Sequence, residues 1–142
     1  MLLALANFQA QRGLGRQALT SYETALKAFP DMAEILNDFA WFLVTCRDLS
    51  LRDPGRALSM AQLAVMLKPV GQVHDTLATA YWANGLTDMA INEQLRAIAA
   101  DPPNRRHYLR RLAAFRVMSY QESLEKSQGR PPPAGAPPQK TP

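Results

Sequence analysis

The sequence predicts an all-α chain built from pairs of short helices, and three observations carry this. Alanines recur where two helices would cross: Ala18, Ala57 and Ala90 are spaced 39 and then 33 residues apart. Glycines stand between apolar runs and prolines close them, as Gly13 and Pro30 do, and again Gly85 and Pro102. Within each run the apolar residues recur at helical spacing, every three or four residues.

Taken in order, Leu2–Pro30 holds Ala6, Gly13, Ala18, Tyr22, Ala25 and Pro30, in the sequence small, turn, small, aromatic, small, proline. No Ser, Thr, Asp or Asn precedes Leu2 to satisfy the first free backbone N–H groups of a helix. The expectation is a piece of a longer array, self-associating through Leu2, Leu3 and Phe8. Asp31–Pro69 opens on Asp31 with Glu34 three residues later, a capping-box pattern. Its first helix has a seam of Leu36, Phe39, Ala40 and Leu43. Asp53-Pro54 is a cap followed by proline at the first helical position. Between the two helices lies the loop Arg47–Asp53, RDLSLRD.

His74–Pro102 reads as two helices with a turn at Gly85, a residue free to adopt the left-handed conformation that ends a helix. Small Ala78 and Ala90 allow close approach; Leu77, Tyr81 and Ile91 fill the seam. Asn104 then caps a further helix over about 104–117, extending weakly to 126, with Tyr108, Leu109, Leu112 and Phe115 as its apolar stripe. Residues 127–142 are proline-rich and predicted to be disordered or polyproline II. Residues 1–126 form the predicted domain.

The order and spacing in His74–Pro102 resemble the tetratricopeptide repeat (TPR), whose pattern is W-x2-L-G-x2-Y, then A-x3-F, then P. Leu77, Ala78, Tyr81, Ala90, Ala97 and Pro102 carry the likeness. His74 stands where the pattern has Trp, and Gln94 where it has Phe. Aligned on the same residues, repeats fall at about 1–30, 31–69 and 70–102, with Met1 already at the third position of the first. The family period is about 34 residues, and the loop Arg47–Asp53 absorbs the excess of the second repeat. Its helix LNDFAWFLVTC is similar to one found before such loops in bacterial members. The resemblance implies a right-handed helical-hairpin solenoid of three TPR-like repeats. A capping helix, polar outward, would close its end.

Composition narrows the function classes. A fraction of 47% hydrophobic residues is ample for a core in 142 residues. No apolar window of about 18 residues is present, so no transmembrane helix is expected. The apolar start lacks a basic leader region, so a signal peptide is not expected either; a cytoplasmic location is favoured. A single cysteine, Cys46, excludes an internal disulfide and cysteine-type metal clusters. The net charge of +4 is uneven: residues 1–101 hold 8 basic and 10 acidic side chains, and residues 102–142 hold 8 and 2.

Nothing in the spacing points to catalysis, a cofactor or a metal, and an enzyme is not expected. His74 reads as a packed helix-face residue, and Gly13-Leu14-Gly15 sits in a helix turn rather than after a strand. Arg105, Arg106, Arg110 and Arg111, with Arg116, form the one charge cluster. They read as the solvated face of a capping helix, or as a candidate anion patch for RNA or anionic lipid. The tail lacks the spacing of an SH3 ligand. The resemblance implies protein–protein interaction in a concave groove lined by the first helix of each repeat. Carried over, the groove positions are Asn7 and Gln11; Glu34, Asn37, Trp41 and Thr45; and Gln72, Asp75, Thr79 and Trp82. The family's clamp for a chaperone carboxylate is disfavoured: Asn7 matches it, but Leu3, Asp38, Gln72 and Thr76 stand at the other clamp positions. The expected function is a scaffold or adaptor that binds a peptide. The alternative is the recruiting or regulatory segment of a larger enzyme, such as a membrane-bound glycosyltransferase.

Overall fold

Seven α-helices and two short 3-10 turns make up the computed structural model, which describes residues 1–129; among these no strand occurs. The predicted proline-rich tail lies outside the described residues, apart from its first three positions. The chain divides into two compact units, Met1–Pro69 and Val70 onward.

The first unit contains α1 (Leu2–Gln11), α2 (Gly15–Ala28), α3 (Ala33–Thr45) and α4 (Pro54–Leu67). Helices α1 and α2 pack as a pair, as do α3 and α4, and α3 also lies against α1 and α2. Ala6, Ala18, Ala25, Ala57, Ala61 and Ala64 are wholly buried at these contacts. A methyl group is the largest side chain that fits where backbones approach this closely. Larger residues fill the space beside them: Phe39 stacks on Tyr22 with ring centroids 5.1 Å apart, and Phe42 lies 5.2 Å from the same tyrosine. The Arg56 guanidinium covers the Phe39 ring at 4.7 Å and pairs with Glu23 at 3.0 Å.

Local signals shape the helix ends. Asp53 caps α4 by accepting from the Arg56 backbone N–H at 3.0 Å, with Pro54 next in line. The loop before it folds into a 3-10 turn, Leu49–Leu51, held by Asp48, which accepts from the Ser50 N–H. The expected capping box at Asp31 does not form. Helix α3 starts one residue after Met32 without a side-chain cap, and Glu34 instead pairs with Lys68 at 2.6 Å. That hydrogen bond holds the Glu34 carboxyl below its ordinary pKa.

The second unit contains α5 (Gly71–Ala83), α6 (Thr87–Ala100) and α7 (Arg105–Gln128). Helices α5 and α6 pack as a pair and α7 lies on α6. Gly85, at φ 74°, makes the turn between α5 and α6. Ala78, Ala90 and Phe115 form a core flanked by Tyr81, Trp82 and Ile91. Asn104 does not cap α7; its amide donates to Asp101 instead, at 2.9 Å. Helix α7 continues past 117 through the expected weak extension to 126, as far as Gln128, and ends at Gly129 in the left-handed conformation. Ser127 and Gln128, read from the sequence as tail, are therefore helical.

Replacing Ala90 with leucine adds three heavy atoms at a site with no free surface. The expected cost is about 1–3 kcal/mol. Thermal unfolding should show a clear drop for Ala90→Leu and little change for Ala99→Leu, whose site on the same helix is exposed.

Candidate functional site

The sequence nominates ten groove positions, and the structure separates them by environment. In the first unit, Asn7 joins α1 to α3 by donating to Asp38 at 2.7 Å, and the Tyr22 hydroxyl donates to Asn7. The Asn37 amide donates to the same Asp38 carboxylate at 3.0 Å, leaving its own Oδ1 buried with no donor. Burial, and then the Asp38 charge, push the Tyr22 hydroxyl well above the usual tyrosine pKa. Asp38 was read only as a mismatch to the chaperone clamp, yet it is the hinge of this polar row. Trp41 follows Asp38 and Asn37 by three and four residues, so it shares their helix face. It is half-buried, as is Thr45, whose hydroxyl donates to the Trp41 carbonyl at 2.7 Å. Glu34 and Gln11 are exposed.

In the second unit the nominated residues are engaged internally. Asp75 is 5% exposed: it accepts from Gln94 at 2.7 Å and from Arg111 at 2.9 Å, with His107 at 3.6 Å. Arg111 also donates to Thr79 at 3.2 Å. Trp82 stacks on Phe115 of α7 with centroids 6.0 Å apart, and its buried indole nitrogen has no partner among the described residues. Asp75, Thr79 and Trp82 thus seat α7; Gln72 alone of this set is exposed. Gln94, in the position where the resemblance expects Phe, is wholly buried and donates to the Tyr108 carbonyl as well, at 3.1 Å. A glutamine among apolar seam positions demands partners, and that was the signal available for this network.

His74 is packed, as expected, against Glu93, whose carboxylate also takes Arg96 at 2.9 Å. Of the nominated anion patch, Arg111 is turned inward, whereas Arg105, Arg106 and Arg110 line an open concavity of about 680 Å³ with Pro102, Pro103 and Leu109. Among the described residues, no cluster of three or more His, Cys, Asp or Glu side chains is placed to hold a metal. No helix among them is long and apolar enough to cross a membrane. Comparison with protein-family models gave no match, and comparison with curated proteins gave none.

Two outcomes follow from the second unit. Asp75→Ala removes the carboxylate that accepts from both Arg111 and the buried Gln94 amide, and the expected loss of stability is about 3 kcal/mol, read by denaturant unfolding. The Asp101 carboxyl is held below its ordinary pKa, first by Asn104 and then by Tyr108. A lowered folded pKa adds stability above the unfolded value, and that stability disappears as pH falls through the folded one. A carboxyl NMR titration should therefore move Asp101 upward in Asn104→Ala, and less in Tyr108→Phe.

Proposed function

We propose that this chain is a TPR-like protein-interaction module whose peptide site is the face of α1 and α3 in the first unit. The observation that carries it is the repetition of fully buried alanines across three successive helix pairs: Ala18 and Ala25, Ala57 and Ala64, Ala90 and Ala97. Helix pairs joined through methyl contacts expend their apolar surface on each other and leave a row of outward polar side chains for a partner. Trp41, half-buried on the helix face it shares with Asp38, is the proposed apolar anchor point for a ligand. Around it the Asp38 carboxylate is fixed by two amides, and Glu34 is exposed nearby in the sequence of the same helix. The chemistry fits a peptide with an apolar anchor next to Lys or Arg.

The test is selection of binders from a displayed library of random 12-residue peptides. Selected sequences should be enriched in an apolar residue beside a basic one. Trp41→Ala should weaken the best of them by about 2 kcal/mol in calorimetric titration, with helical content unchanged. Undiminished binding by a folded Trp41→Ala variant rules this face out.

A further inference from the structure

Helix α7 is apolar on two opposite sides. Tyr108, Leu112 and Phe115 point inward and are buried. Leu109, Val117, Tyr120 and Leu124 are exposed, at 39, 55, 66 and 40%. At 3.6 residues per turn these four fall within an arc of about 80°, on the side away from the core, along about 22 Å of helix. They form one band along the helix, turned toward the same side.

The charges sort the same way. Arg105 and Arg116 flank the stripe on one edge; Arg106 falls within it, and Arg110 lies along the other edge. All four are exposed, and among the described residues none has a carboxylate within ion-pair distance. The two acids of the helix, Glu122 and Glu125, lie on the opposite half and are partly buried. Where the stripe begins, Arg105, Arg106 and Arg110 bring three guanidinium groups to one concavity, lined in part by Pro102, Pro103 and Leu109. Guanidinium forks match phosphate oxygens.

We propose that the outward face of α7 docks on the anionic surface of a phospholipid bilayer. An apolar stripe with an aromatic residue, edged by arginines and clear of acids, lies in the headgroup plane with its stripe among the acyl chains. A headgroup phosphate occupies the arginine concavity. Nucleic acid is the weaker match: it rewards the arginines and offers Tyr120 a base to stack on, but gives nothing to Leu109, Val117 and Leu124, which are more numerous.

The full chain is mixed with sedimenting vesicles of phosphatidylcholine alone, or of phosphatidylcholine with phosphatidylglycerol, and with a labelled single-stranded RNA. Binding to the anionic vesicles is expected, with little to the neutral ones, and it should weaken as salt rises. Each arginine at an anionic surface contributes about fivefold, so Arg106→Ser, Arg110→Ser, Arg116→Ser together should lower partitioning on the order of 100-fold. Val117→Ser with Leu124→Ser should lower it as well, at low salt. All five positions are exposed, so helical content should hold and is checked by circular dichroism. Trp41→Ala should leave vesicle binding unchanged, which keeps this result separate from the peptide site. Equal binding to both vesicle types overturns the proposal. So does RNA binding without vesicle binding, or indifference to the loss of Val117 and Leu124.

Discussion

The closeness of paired helices is the constraint on which the rest depends. Where α1 meets α2, α3 meets α4 and α5 meets α6, the wholly buried side chains at the contacts include Ala18, Ala25, Ala57, Ala64, Ala90 and Ala97. Short separation within the α3–α4 pair brings Arg56 over the Phe39 ring, and between pairs Tyr22 stacks on the same ring. At Gly71 even a methyl is too large. A Cβ there would lie 2.4 Å from the Asp101 Cβ and 3.0 Å from the Tyr108 hydroxyl. The first residue of α5 is thus fixed by the end of α6 and the start of α7 together.

Close packing decides distance but not which face of α7 turns inward, because that helix has two apolar faces to offer. The buried polar residues make the choice. Arg111 shares a side with Tyr108, Leu112 and Phe115, and only that side brings it to Asp75 and Thr79. Gln94 links the same carboxylate to the Tyr108 backbone. A phenylalanine at 94 would fill space with no directional demand. With this face inward Arg111 meets the buried Asp75 carboxylate, and an unpaired buried carboxylate is costly. The network sets orientation more than it adds stability.

Features fixed by a few neighbouring residues were legible in the sequence. The Asp53-Pro54 start of α4, the turn at Gly85 and the helix pairs themselves depend on local backbone chemistry and periodicity. Features set by competition at a distance were not. Glu34 abandons a cap for Lys68, thirty-four residues on; Asn104 abandons one for Asp101. Helix α7 continues through SYQESLEKSQ, residues with fair helix propensity that bury little, until Gly129 ends it. The two tryptophans read alike as groove residues, and only the position of Phe115 tells them apart. Among five arginines in one helix, the inward one is marked solely by its phase relative to Tyr108, Leu112 and Phe115.

That phase also gives the outward arginines their meaning. The first turn of α7 carries Arg105 and Arg106, no acid, and no side-chain cap. The positive end of a helix dipole disfavours cations there, by about 0.3–1 kcal/mol each at low ionic strength. Arg105 and Arg106 recover it from no carboxylate among the described residues. A helix under pressure for stability alone would place acids in that first turn. Four guanidiniums edging an exposed apolar line are instead a surface whose balancing charge comes from outside the described fold, which is the physical content of assigning it an anionic bilayer.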